Sequence, residues 1–470
     1  MKTFLAAVFV FGALTASAAD WAGFRGPNGS GVAETPLPSE IGPDKNVIWK
    51  IDFPPGHSSP SVSGNRIFLT AYEGDKLLTV ALDRQTGKEI WRVEAPRPRK
   101  EVYDKRNSPA SPTPAADGKN VFVFFGDYGM LAYDWNGKEL WRTPMGPFNN
   151  VYGMGASPVL VDDKVILVCD HSGGSFVIAL SKATGKQIWK RPRAEALTGH
   201  STPVVFRPKT GNPLIIAPGS FRMDAYDATN GESIFWVYGL ASEMKSIPVL
   251  DGDKLYINGF NTPENDPGKQ IPVAPFEEVL KEWDKNHDGK ISVDESPDKR
   301  TKDYFPYTDL NRDGFLDKDE WDKFRAVMAA ENGLLAYRMN GKGDISQSGL
   351  MWKYHKAIPQ LPSTVLYKGV LYMISDAGVL STFDPANGTV HKQARLRGVS
   401  DRYYASPVAS DGKIFIASLS GTVSVLKAGP DQELLSANKF EDEIYATPAI
   451  ADGRIYVRTR SALYCFGNKK

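Results

Sequence analysis

Two stretches of twelve residues, DKNHDGKISVDE at 284–295 and DLNRDGFLDKDE at 309–320, place oxygen-bearing groups at the same intervals. In the first, Asp284, Asn286, Asp288, Ser292 and Glu295 stand at positions 1, 3, 5, 9 and 12, with the Lys290 carbonyl at position 7. In the second the set is Asp309, Asn311, Asp313, Asp317 and Glu320, with the Phe315 carbonyl. A hard cation such as Ca2+ takes about six to eight oxygens from a tightly bent chain, and a glutamate at position 12 supplies two of them. Gly289 and Gly314 at position 6 permit the bend. The expectation is two calcium ions, one per loop, in a structural more than a sensing role. A merely acidic surface segment would not complete the pattern twice in tandem.

The flanks supply the elements that would hold these loops. Phe276, Val279, Leu280 and Trp283 recur at helical spacing before the first loop, and Trp321, Phe324, Val327 and Met328 do so after the second. This arrangement resembles the compact EF-hand pairs of exported bacterial proteins. Ile291 and Leu316, at position 8, are expected to join the loops through a short β bridge. The 13 residues between the loops include Pro297 and Pro306, so two short middle helices are expected. From 262 to 331 there are 18 Asp or Glu against 11 Lys or Arg, so the near-neutral total of +1 hides an acidic lobe set in a basic remainder. That balance offers no bulk charge for nucleic acid.

Around this lobe the sequence repeats. ALDRQTGKEIWR (81–92), AYDWNGKELWRT (132–143), ALSKATGKQIWK (179–190) and AYDATNGESIFW (225–236) are variants of one strand–turn–strand phrase. A second phrase precedes it, a Ser/Thr-Pro step followed by a turn and an apolar strand. Anchors at Pro60, Pro112, Pro158, Pro203, Pro248, Thr364, Pro407 and Pro448 are spaced 41 to 52 residues apart, except for one step of 116 that contains the acidic lobe. Four short strands at this period are a propeller blade. The predicted fold is therefore all-β, an eight-bladed β-propeller of four-stranded blades with a small α-helical EF-hand insertion. The last unit lacks its outer strand, and NVIWK (46–50) is expected to supply it and close the ring. Trp49, Trp91, Trp141, Trp189 and Trp352 are read as packing wedges between blades. Blade 4 shifts its aromatic to Phe235/Trp236, and blades 6 and 7 lack one and are expected to be looser.

These phrases resemble the PQQ-like (quinoprotein-like) propeller repeat, whose family includes the BamB outer-membrane assembly factors and the quinoprotein alcohol dehydrogenases. DWAGFRGPNGSGV (20–32) is similar to the start of exported bacterial members. In the dehydrogenases, PQQ lies between a Trp and a disulfide of adjacent cysteines, with a Glu/Asn/Asp set on calcium. Here the only cysteines are Cys169 and Cys465, each inside an apolar run, so they are read as buried apolar residues and PQQ is not expected.

The domain reading is a signal peptide at 1–19, ring residues 20–261 through the first part of blade 5, the EF-hand pair at 262–331, and the rest of blade 5 with blades 6 to 8 at 332–470. Lys2, the apolar run from Phe4 to Leu14 and Ala16-Ser17-Ala18 form the leader. Export to the periplasm or beyond after cleavage near Ala18/Ala19 is expected, with no membrane span. Propellers bind at a channel mouth. The residues three before each anchor, His57, Pro109, Gly155, His200, Lys245, Leu361, Tyr404 and Tyr445, are expected to ring it, with Arg106, Asn107, Tyr152, Arg402 and Tyr403 nearby. The functional expectation is a monomeric, non-catalytic scaffold with a protein partner in the envelope; a diverged quinoprotein-type oxidoreductase is the alternative.

Overall fold

The structure, a computed structural model, describes residues 20–297, 299–397 and 399–468. The leader expected at 1–19 lies outside the described residues. Among the described residues, eight blades follow one another along the chain, each built on four antiparallel strands paired in sequence order except the last, and blade 4 adds a fifth strand. Blade 1 comprises Ser61–Ser63, Arg66–Glu73, Lys76–Asp83 and Glu89–Ala95. Its two central strands bury nearly every residue because both faces pack on neighbouring blades, whereas the outer strand alternates with solvent. Blade 8 has Ala449–Ala451, Arg454–Arg458 and Ala462–Gly467, and the strand Val47–Asp52 completes it, with Trp49 opposite Cys465. The ring is closed as the repeat count required.

The repeated phrase builds a recurring device, seen in full in blade 1. The Asp83 carboxylate accepts the amides of Gln85 and Thr86 at 3.0 and 2.8 Å, forming the turn. The ladder to the outer strand slips at Ala81/Leu82, and at Ala132/Tyr133 and Ala179/Leu180 in the next two blades. That bulge accompanies an indole seated against the following blade. Trp91 lies 2.8 Å from where a Cβ on Gly137 would stand, and its N–H donates to the Trp135 carbonyl at 2.9 Å. Trp49, Trp141, Trp189 and Trp352 repeat this on Gly87, Gly185, Gly231 and Gly388, with N–H donated to the carbonyls of Arg84, Lys182, Ala228 and Pro385. Glycine is needed there for its positive φ and for the space the indole takes. Trp141→Ala is expected to cost about 3 kcal/mol, from lost packing and a lost hydrogen bond. Urea unfolding checks this, and a cost under about 1 kcal/mol would show that the indole is no tie.

Where the indole is missing, other groups make the joint. The outer strand of blade 4 receives Gly343–Asp344 as a parallel fifth strand. At the joint of blades 6 and 7 the Tyr372 hydroxyl accepts the Gly429 amide at 2.7 Å, and the Gln432 side chain donates to the Leu380 and Lys392 carbonyls. Blade 7 is covered by the segment after the N-terminus, through Thr35 on Ser410 and Ser39 on Ser436. These joints are tied by polar contacts, not left loose as the missing aromatics suggested.

The Ser/Thr-Pro step has its own reason. The amide of Ser59 donates to Thr113 Oγ1, Thr113 to Ser157 Oγ, Ser157 to Thr202 Oγ1, Ile247 to Ser363 Oγ, Ser363 to Ser406 Oγ and Ser406 to Thr447 Oγ1, all at 2.9 to 3.0 Å. This belt joins blades at their inner ends and sets the alignment. It makes Pro114, not Pro112, the anchor of blade 2.

Residues 21–33 cross one end of the channel. Trp21 exchanges backbone bonds with Val62 of blade 1 at 2.8 and 2.9 Å, and the Ala22 carbonyl accepts from Ala116 of blade 2. Asn28 pairs with Val205 of blade 4, Arg25 donates to the Thr364 carbonyl of blade 6 at 2.7 Å, and Gly31 and Ala33 bracket Ala409 of blade 7. Trp21 and Arg25 are wholly buried. One strap thus ties five blades.

The lobe interrupts blade 5 between Lys254–Gly259 and Gly333–Arg338. It contains α1 (Phe276–Trp283), α2 (Lys299–Thr308) and α3 (Lys318–Ala329) around Phe276, Ile291, Phe305, Leu316 and Trp321. A single helix, α2, spans the connection where two were expected, and it carries Pro306 within it. At the neck, buried Asn332 donates to the Thr262 carbonyl and Asp266, and buried Asn265 holds the Val327 and Ala330 carbonyls.

Candidate functional site

The two twelve-residue loops share one pattern of side-chain to amide bonds. Ile291 and Leu316 pair across a two-stranded sheet. His287 and Arg312 at position 4 take φ of 58° and 63°, and Gly289 and Gly314 follow at 82° and 87°. The Asp284 carboxylate accepts the amides of Asp288 and Gly289 at 3.1 and 2.9 Å, while Asp309 accepts those of Asp313 and Gly314 at 3.1 and 3.0 Å. Asn286 and Asn311 each take the amide at position 5, and Asp288 and Asp313 each take the amide at position 7. Glu295 holds the amides of Lys285 and Ser292, and Glu320 those of Leu310, Asn311 and Asp317. Among the described residues no three His, Cys, Asp or Glu side chains are placed to hold a metal by themselves. A cation here must also draw on Asn and carbonyl oxygens, a donor set that suits hard Ca2+. The Lys290 and Phe315 carbonyls and Ser292 and Asp317 side chains belong to that candidate set by position in the loops.

The channel holds a funnel of about 180 Å3. His57, Gly155, His200, Lys245, Leu361, Tyr404 and Tyr445 line it together, with Arg106, Asn107 and Tyr152. The His57 and Tyr445 rings stack at 4.0 Å, and Tyr404 tilts against Tyr445 at 5.9 Å. On the other wall Tyr152 meets His200 edge-on at 5.9 Å, with Arg106 and Lys245 over its ring at 5.5 and 5.6 Å. The cations are paired, Arg106 with Asp104 at 2.6 Å and Lys245 with Glu243. Glu243 also accepts the Tyr152 hydroxyl at 3.0 Å. Burial, then the Glu243 carboxylate, push the Tyr152 phenol up. Burial, then Arg458, lower His57 to about 3, and burial, then Lys245, lower His200 to about 4. Both imidazoles are thus neutral near pH 7, giving a wall of aromatic faces and internally neutralised charge.

Two expected residues stand elsewhere. Arg402 faces a separate surface hollow beside Asp401, Asp442 and Arg460, since its carbonyl holds the Leu419 amide and its amide is turned to Asp401. Tyr403 is wholly buried in the core of blades 6 and 7. With the anchor at Pro114, the blade 2 position in the funnel is Ser111, not Pro109. Asp104 and Phe24 were also missed as lining residues. Phe24 belongs to the strap and comes from a stretch no repeat predicts, whereas the Asp104–Arg106 spacing was legible as a charge pair.

The lobe leans on the ring beside this funnel. Tyr307 of α2 stacks on Tyr152 at 6.5 Å. The Leu310 carbonyl, at position 2 of the second loop, accepts from Asn149 Nδ2 and, at 3.0 Å, from Ser172 Oγ. A second cavity of about 160 Å3, with Leu197, Phe324, Val327 and Met328 on its walls, lies at this joint.

The family model described as outer membrane protein assembly factor BamB matches residues 40–264 and 327–470. The chain belongs to the BamB family. An EF-hand model matches 276–295 and 301–324, in the interval the BamB match leaves open, so the chain is a BamB-family propeller carrying an EF-hand calcium-binding region. The BamB of Yersinia pestis is 27% identical over 189 residues, covering 37% of this chain and 44% of that protein. The 1-butanol dehydrogenase (quinone) of Thauera butanivorans is 31% identical over 150 residues, 28% of this chain and 22% of that one. The chain thus spans less than half the length of these curated relatives. The BamB structure from Moraxella catarrhalis superposes with a TM-score of 0.55 at 11% identity, over 90% of this chain and 99% of that one, a likeness of fold. BamB-family and quinoprotein relatives share this ring. No helix among the described residues is long and apolar enough to cross a membrane.

Proposed function

We propose that this protein is an exported, non-catalytic BamB-family scaffold that binds two calcium ions in its lobe and a protein partner at its funnel. The BamB family match over both parts of the ring carries the reading. The paired charges and neutral histidines support a binding role for the funnel. The quinoprotein alternative rests on the identity with the Thauera dehydrogenase. The residues here do not suit PQQ: among the described residues no indole lines the funnel, and Cys169 and Cys465 are free, buried and in blades 3 and 8. Purified protein mixed with PQQ, Ca2+ and a panel of alcohols is therefore expected to reduce no dye. In envelope extracts, wild-type bait is expected to retain a partner that the His57→Ala, His200→Ala, Lys245→Ala triple variant releases at least tenfold more readily. Dye reduction would overturn the non-catalytic reading, and equal retention by both baits would overturn the funnel as the site.

A further inference from the structure

The two calcium loops are alike within themselves and differ in what they touch. Among the described residues, the first loop is bonded within the lobe, as in Lys290 on Asp313 and Glu295 on the amides of Lys285 and Ser292. The second is held by the ring. Its Leu310 lies between the candidate ligands Asp309 and Asn311, and its carbonyl takes the side chains of Asn149 and Ser172. The Glu320 carboxylate, the candidate bidentate ligand, holds the Leu310 amide at 2.8 Å and the Asn311 amide at 3.0 Å. Peptide 310 is therefore gripped on one side by the group that would turn to calcium and on the other by the propeller.

Asn149 opens a short connection that ends in the funnel. Asn150 anchors it, donating to the Asp170 carbonyl at 3.0 Å and accepting the Tyr152 amide at 3.0 Å. Tyr152 then lines the funnel, under Arg106 and Lys245 and bonded to Glu243. The helix leading into the second loop returns to the same place through Tyr307 on Tyr152. Residues 149–152 thus touch the second loop through Asn149 and the helix leading into it through Tyr152.

We propose that calcium in the second loop, and not in the first, sets the funnel: occupancy there stiffens residues 149–152 and orients Tyr152, so calcium affinity and partner affinity are linked. The linkage is reciprocal, because whatever the cation does to the Leu310 peptide, the ring does to the cation. This regulation rests on the funnel being the binding site, but the coupling itself needs no partner to be observed.

Hydrogen exchange read by mass spectrometry on the full chain, stripped with EGTA and then saturated with Ca2+, tests it. In the wild type, calcium is expected to slow exchange in peptides covering 149–155 at least threefold, alongside peptides of the lobe. Glu320→Gln is expected to abolish the response at 149–155, while Glu295→Gln keeps most of it. Asn149→Ala with Ser172→Ala, a change on the ring side that leaves every candidate ligand in place, is expected to keep calcium protection of 284–295 and lose it at 149–155. The same pair should weaken one of the two calcium sites about tenfold in calorimetry, the scale of two hydrogen bonds. Calcium protection confined to the lobe in the wild type would overturn the proposal, as would equal effects of the two glutamate variants at 149–155. Loss of partner capture with the exchange pattern intact would instead count against the funnel as the binding site.

Discussion

A protein carrying both Glu295→Gln and Glu320→Gln is expected to give no calcium heat in calorimetry and to lose the fold of its lobe, while the ring unfolds in urea as the wild type does. Each glutamate stands at position 12, the place in its loop that supplies two oxygens to the cation at once, and an amide there offers one neutral oxygen. The lobe has a small core, centred on Phe276, Ile291, Phe305, Leu316 and Trp321, so cation binding is a large part of what holds it. At a hundredfold excess of Ca2+ over Kd, each site adds about 2.7 kcal/mol. The ring has its own buried clusters in every blade, and the strands on either side of the insertion, Lys254–Gly259 and Gly333–Arg338, pair directly with each other. Circular dichroism should therefore lose helix signal and keep strand signal. Unfolding of the strands together with the lobe would show that the lobe braces the propeller.

The second large effect is on acid stability. In EGTA, so that calcium plays no part, the ring is expected to lose stability as pH falls from 6.5 toward 4. Folded His57 and His200 have pKa values lowered to about 3 and about 4, whereas in the unfolded chain they protonate near 6.5. The unfolded state therefore binds more protons through that window, and each histidine removes up to about 1.4 kcal/mol per pH unit. The stabilisation is complete above pH 6.5 and is lost progressively below it. His57→Gln with His200→Gln is expected to flatten the dependence of the urea midpoint on pH across that range. An unchanged slope would mean that these imidazoles are solvated as in the open chain.

The funnel shows where a reading of local pattern stops. His57, Gly155, His200, Lys245, Leu361, Tyr404 and Tyr445 came together because each sits at a fixed offset from a repeated Ser/Thr-Pro step, and a repeat turns sequence offset into angular position. The offset failed at blade 2, where Pro112 and Pro114 both follow hydroxyl residues. Only the belt, in which Thr113 is bonded to both Ser59 and Ser157, selects the second. Arg402 failed for a different reason. It stands two residues before Tyr404, but its peptide is turned by the Leu419 amide on its carbonyl and by its own amide on Asp401, and it lines the hollow beside Asp401.

The amino-acid sequence by itself determined the parts governed by short-range bonds. These are the turn of Asp83 with its glycine, the indole that recurs in five of the eight blades, the two loops with oxygens at alternate positions, and the count of eight that demanded a closing strand. Each is a pattern within about twelve residues, copied often enough to be recognised. Tertiary structure alone decided what long-range contacts control. Asn28 meets Val205 and Arg25 meets Thr364 across 177 and 339 residues, so no local pattern announces that the strap spans the channel. The same is true of Asn149 on Leu310, 161 residues apart, through which the second of two nearly identical loops is held by the ring. Local rules made the loops equal; packing against a non-repeating surface made them different.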